Sequence, residues 1–177
     1  MFVLWKDHTA QREAAEITDL CARSAVNYAC HSGNHYSAEC FWAKALHLLR
    51  GSERLRRDAY AVVELCDWIP AVLTGARNPS RLKTSHCAAG SKQLWSDRWG
   101  GFPPEEFFEA LDPVLLPLVR HISRENYTCD HAAGRIAPAW AAEFGLPSDT
   151  LIGVGNIDAH AGAVGAGIAC GTVVLNL

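Results

Sequence analysis

The residues best placed for chemistry lie near the end of the chain, where Gly153-Val154-Gly155-Asn156-Ile157 leads into Asp158 and then a Gly/Ala segment reaching Gly167. An apolar run followed by an acid at the mouth of a small-residue helix puts a carboxylate at the carboxyl end of a strand. That is where open α/β sheets place their ligands. Small side chains let a ligand or another backbone come close, and a helix N-terminus favours anionic groups. The same residue types also make an ordinary helix cap with packing glycines, and spacing does not separate the two readings. A dinucleotide fingerprint is excluded, because its glycines precede the helix and its acidic residue lies well beyond it.

Lys92 is the second candidate, in Cys87-Ala88-Ala89-Gly90-Ser91-Lys92-Gln93-Leu94-Trp95. A lysine after a flexible small-residue turn and before an aromatic can present its ammonium to a polar ligand, although an isolated lysine is more often simply solvated. The glycine spacing of a phosphate-binding P-loop is missing. Cys30, His31, His35 and Cys40 offer two thiolates and two imidazoles to zinc, but without finger spacing, and Cys40 falls in an apolar stripe. His86 and Cys87 are neighbours in sequence, and adjacent side chains rarely face each other as base and nucleophile.

Helices must carry the first half of the chain. Ala10, Ala14, Ile17, Cys21 and Ala25 recur at helical spacing and predict an amphipathic helix over Thr9 to Ala25, with Asp7 or Thr9 as its cap. Ser37 is expected to cap a second helix, striped by Phe41, Trp42, Ala45, Leu48 and Leu49 and stopped by Gly51. Ser52 opens a third with Leu55, Ala59, Val62, Val63 and Cys66, which Pro70 is expected to break before a short piece ends at Gly75. Residues 76–103 are expected to be mostly irregular, with turns at Asn78-Pro79-Ser80 and Gly100-Gly101. Pro103-Pro104-Glu105-Glu106 starts a helix bearing Phe107, Phe108 and Leu111, after which Pro113 and Pro117 allow only short helical pieces or turns. From Pro138 an α/β unit is expected: a helix to Phe144 closed by Gly145, a buried strand over Leu151 to Gly155, a helix or turn from Asp158 to Ala166, and a strand over Gly171 to Leu177.

Composition narrows the class. The chain has 177 residues, 49% apolar and 20% charged, which suits a packed core and excludes a disordered or fibrous chain. A net charge of -3 without a basic stripe argues against nucleic acid as partner. No apolar run is long enough to span a bilayer, and Met1 to His8 lacks the features of a signal peptide. The odd count of seven cysteines, with no tight pairing pattern, predicts reduced thiols and a cytoplasmic protein.

Several segments, in order along essentially the whole chain, resemble the L-ribulokinases of the FGGY carbohydrate kinase family. They are Phe2 to Ala10, Tyr36-Ser37-Ala38-Glu39 with Phe41-Trp42-Ala43-Lys44, Glu64 to Ala71, Ala89-Gly90-Ser91-Lys92 with Trp95, Trp99-Gly100-Gly101, and Asp158-Ala159-His160 with Gly162 to Gly167. The resemblance implies an α/β fold. Residues 1–177 would form part of the N-terminal, sugar-binding domain of an actin-like, ribonuclease H-like kinase, a helix-rich insertion followed by a C-terminal strand-helix-strand unit. It implies that Asp158 is the general base for the attacking sugar hydroxyl and that Lys92 contacts the sugar. It further implies L-ribulose or a related pentulose as substrate, L-ribulose 5-phosphate as product in arabinose catabolism, and ATP and Mg²⁺ as cofactors of a full-length parent.

The departures shape the expectation. The Asp-x-Gly phosphate loop should precede Met1, and the later substrate-contacting Glu and the nucleotide domain are missing, so the chain reads as an internal fragment. It is expected to hold no cofactor, to be inactive alone, and to self-associate through the unpaired edge of the Gly171 to Leu177 strand. Asn34, Cys40 and Ser91 stand where the family usually has glycine, tryptophan and histidine. The rival readings are a non-catalytic carbohydrate-binding module and a small zinc-stabilised interaction domain.

Overall fold

The computed structural model describes residues 1–175. The first half of the chain forms α1 (Gln11–Arg23), α2 (Phe41–Gly51), α3 (Glu53–Asp58), α4 (Leu65–Thr74), β1 (Thr84–Ser85) and α5 (His86–Lys92). After these come α6 (Glu105–Leu111), α7 (Leu116–His121), β2 (Asn126–Tyr127), β3 (Ala132–Arg135), α8 (Pro138–Phe144), β4 (Leu151–Gly153) and α9 (Asp158–Gly165). The fold class is mixed α/β. The elements sort into two compact units that alternate along the chain, residues 1–63 with 89–124, and residues 64–88 with the chain from 125 onward.

In the first unit α1 buries Ala14, Ile17, Leu20 and Cys21, and α2 buries Phe41, Trp42, Ala45, Leu46 and Leu49. These stripes share one core with Phe107 and Phe108 of α6 and with Leu115, Leu118 and Val119. Each of the leucine, isoleucine, valine and phenylalanine side chains among them contributes roughly 1.5–3 kcal/mol by leaving water. Both expected caps are displaced by one tight turn. The residue before α1 is Ala10, while the Asp7 carboxylate accepts from the Thr9 amide at 2.9 Å. Cys40 precedes α2, and Ser37 accepts from the Glu39 amide instead.

The third helix stops at Asp58, well before Cys66, and a new helix, α4, starts at Leu65 with Pro70 inside it. Proline forfeits the bond to the carbonyl four residues back, here that of Cys66. At that carbonyl the second unit brings in Gly155, whose own Cβ, if it had one, would lie 1.9 Å from the Cys66 oxygen. The residue expected to end the helix is instead accommodated where glycine backbone packs against the carbonyl it leaves.

The second unit holds two small sheets, β1 parallel to β2 and β3 antiparallel to β4. The α8 helix occupies its expected span, with proline at its start and Gly145 left-handed (φ 63°) at its end. Three expectations need correction here. The 76–103 stretch contains β1 and α5, so Lys92 ends a helix rather than following a flexible turn. The β4 strand is shorter than expected and not buried, Leu151 being 63% exposed, because a two-stranded ribbon leaves one face without a covering layer. The closing strand does not form over residues 171–175: the Thr172 amide and hydroxyl both bond the Ala169 carbonyl in a turn, and Val173 is 95% exposed with no ladder partner. Asn176 and Leu177 lie outside the described residues. The edge on which the expected self-association rested is therefore not present in residues 171–175.

Candidate functional site

Lys92 belongs to the first unit and Asp158 to the second. Lys92 is partly buried and closes α5. The last carbonyls of a helix have no partner within it and must find donors elsewhere. Here three aromatic side chains supply them in succession. The Tyr36 hydroxyl donates to the Lys92 carbonyl, the Trp42 indole N–H to that of Gln93 at 2.9 Å, and the Trp99 indole N–H to that of Leu94 at 3.0 Å. Tyr36 in turn accepts from the Trp42 amide at 3.0 Å, and Tyr36 and Trp42 are both buried. Leu94 is held at φ +62°, a left-handed conformation that costs a residue with a Cβ roughly 1–2 kcal/mol. Its side chain is buried in the first unit's core, and that packing keeps it there.

The neighbouring loop explains one of the departures from the family pattern. Among the described residues Asn34 is the other non-glycine with a left-handed backbone, at φ +60°, which is why glycine suits the position. Asparagine is the side chain that tolerates it best, and its Oδ1 accepts from Asn27 Nδ2 at 3.0 Å. Cys40 precedes α2, and Ser91 is exposed in α5.

Asp158 is exposed and is the first residue of α9, the preceding cap position being Ile157. Its Oδ1 accepts from the Ala159 amide at 2.8 Å, so the carboxylate lies at the positive end of the helix without being its cap residue. The α9 helix buries none of its residues.

A more deeply placed acid in the second unit was not singled out from sequence. Asp67 in α4 is 2% exposed and accepts from the Ser85 amide at 2.7 Å, while Ser85 Oγ accepts from the Ala88 amide at 3.3 Å in the first turn of α5. Burial pushes the Asp67 carboxyl up to about 6, against the opposing pull of the Ser85 N–H. Asp67 borders a cavity of about 180 Å³ that Thr74, Arg81, Lys83 and Glu125 also line. Asp158 is not among its lining residues. This buried acid, one residue from Cys66, had no readable signal beyond its place in an apolar stretch and in the Glu64 to Ala71 segment of the resemblance.

The remaining candidates do not form sites. Among the described residues no three His, Cys, Asp or Glu side chains converge to hold a metal ion. His31 stacks on Trp99 at 5.5 Å and Cys40 sits at a helix start, so the zinc-stabilised reading has no ligand set behind it. Burial raises the Cys87 thiol, the opposite of an activated nucleophile. No described helix is long and apolar enough to cross a membrane.

No family model matches the chain. It is, however, 42% identical to the ribulokinase of Vibrio parahaemolyticus over 175 residues, 98% of this chain and 31% of that protein. The ribulokinases of Shouchella clausii and Halalkalibacterium halodurans are 33% and 32% identical over 166 residues, each match covering 93% of this chain and 28% of the relative. The chain spans just under a third of the length of the curated relatives it matches. Aligned with proteins of one name along nearly all of its residues, the chain is a homologue of the ribulokinases.

Proposed function

We propose that this chain is the sugar-binding part of an ATP-dependent kinase that phosphorylates L-ribulose or a related pentulose, and that it belongs to a partial actin-like, ribonuclease H-like domain. The observation that carries the reading is the match to ribulokinases over 98% of the chain, which takes in both Lys92 and Asp158. In phosphoryl transfer the protein works mostly by positioning and by stabilising charge. Asp158 would accept the proton of the attacking hydroxyl. Its exposure and its helix-end hydrogen bond from the Ala159 amide support this role, because the carboxylate is accessible to substrate and held in orientation. Lys92 would donate to the sugar's other hydroxyls. ATP is the phosphoryl donor in this reading, with Mg²⁺ as the ion that would neutralise its phosphate charge.

The test grafts this chain in place of the matching segment of the Vibrio parahaemolyticus ribulokinase and measures ATP-dependent phosphorylation of L-ribulose in a coupled assay. The graft should be active, and Asp158→Asn should lower its kcat by about 10²- to 10⁴-fold with little change in KM. Near-normal kcat in the variant would return Asp158 to a purely structural place at the start of α9. The isolated chain should bind L-ribulose without phosphorylating it.

A further inference from the structure

We infer that Tyr36, Trp42 and Trp99 are positioning residues, which fix the end of α5 so that Lys92 meets its ligand in a single geometry. The inference rests on the sugar-contact reading of Lys92 proposed above.

A helix's C-terminal turn ordinarily frays, because its carbonyls are satisfied by water or by mobile lysine and arginine side chains. At α5 the carbonyls of Lys92, Gln93 and Leu94 receive donors one after another from Tyr36, Trp42 and Trp99. Such aromatic side chains have only two rotatable bonds, and Tyr36 and Trp42 are locked by burial, at 1% and 0% exposure. They also bond each other, Trp42 amide to Tyr36 hydroxyl, so the clamp is a small connected network rather than separate contacts.

Two further observations point the same way. The Ala89 carbonyl accepts from both the Gln93 and the Trp95 amides, which tightens the turn just past Lys92. Leu94 is held left-handed although it is not glycine, and strain of this kind persists only where the surroundings over-determine it. Ammonium placement within a fraction of an ångström matters for a ligand held by directed hydrogen bonds, and a lysine stem alone is too flexible to supply it. The fixed backbone supplies part of that precision.

The experiment is a double-mutant cycle on this chain, reading the Kd for L-ribulose by isothermal titration and the melting temperature in parallel. Lys92→Met should weaken binding about 10- to 100-fold, as expected for loss of a charged hydrogen bond. Tyr36→Phe, which keeps the ring and removes only the hydroxyl, should weaken it about 3- to 10-fold, as should Trp42→Phe. In the Lys92→Met background neither aromatic substitution should change Kd by more than about 2-fold, because each acts through the lysine. A melting-temperature loss that is the same in both backgrounds is what stability alone would give, and it leaves that coupling untouched.

The outcomes separate cleanly. If Lys92→Met binds as tightly as the unsubstituted chain, the sugar-contact reading fails. If Lys92→Met weakens binding but both aromatic substitutions leave it intact, the positioning inference fails alone. Equal weakening by Tyr36→Phe with and without Lys92 also overturns it. No binding by the unsubstituted chain overturns both.

Discussion

Replacing the buried Asp67 by asparagine should stabilise the second unit, and more so as pH rises. The side chain is 2% exposed, and its carboxylate has the Ser85 amide at 2.7 Å and the Cys66 thiol at 3.9 Å as polar neighbours. Desolvation lifts the carboxyl from 3.8 to about 6, the Ser85 N–H opposes this, and the nearby Glu64 charge adds to it. A folded-state value above the unfolded one means that the contribution to stability is complete below pH 3.8 and is lost as pH rises through about 6. The gap of roughly two pH units corresponds to about 3 kcal/mol of stability forgone near neutrality. Asparagine keeps the size and an oxygen for the Ser85 amide but carries no charge. The difference in unfolding free energy between variant and parent should therefore grow by about 2 kcal/mol in the variant's favour between pH 4 and pH 7.5. Urea unfolding monitored through the amide resonances of α4 measures this unit by itself. Taking differences at each pH cancels the titrating groups that do not interact with Asp67. A difference that stays flat with pH, or that falls as pH rises, would refute the reasoning, and direct titration of the Asp67 carboxyl by NMR would show where it fails.

Gly155→Ala should cost about 3 kcal/mol or more, measured by thermal melting, because its new methyl would meet the Cys66 carbonyl, a backbone atom with little room to move. Arg50→Met should cost about 1–2 kcal/mol at neutral pH, since Arg50 bonds Glu16 at 2.7 Å and Asp112 at 2.9 Å from a partly buried position. Burial works against ionisation of Glu16, but its bonds to Arg50 and Arg12 win and hold its pKa below the usual value of 4.5. That cost should therefore be present above this pH and fade as acid protonates the carboxylate, which denaturation at several pH values would show. Asn34→Gly should be close to neutral while Asn34→Ala costs about 1 kcal/mol by melting, because alanine pays the left-handed penalty and loses the bond to Asn27.

Local signals were legible where one element decides its own form. The α8 helix is dictated by proline at its first position and glycine just past its end, and α1 and α2 by apolar residues at helical spacing. What the sequence hid was non-local. Pro70 reads as a break until Gly155, far along the chain, is seen packed against the Cys66 carbonyl. Gly171-Thr172-Val173-Val174-Leu175 has strand composition, yet a strand exists only with a ladder partner, and Thr172 closes a turn instead. Of the proposed site residues, Asp158 was legible as an acid at a helix start. Lys92 was legible as a residue but not as a helix end, because Gly90 and its small neighbours read as a turn. Tyr36, Trp42 and Trp99 stand in segments that carry the family resemblance, but nothing marked them as donors, since a buried aromatic looks the same in sequence whether or not its polar atom is used.

The alternation of the two units along the chain bears on how the molecule is made. Of these elements a ribosome delivers α1 and α2 ahead of Phe107, Phe108 and Leu115, which complete their core and emerge only after the whole 64–88 stretch has passed. That stretch in turn waits for residues beyond 125 before Gly155 can reach Cys66 and β2 can pair with β1. Each unit thus spends part of synthesis with an apolar face open, and the distant contacts that close it form slowly compared with helix growth. Holdase binding during translation should accordingly be strongest on chains arrested after α2 has left the ribosome and before α6 has, where the α1–α2 face is made and its cover is not.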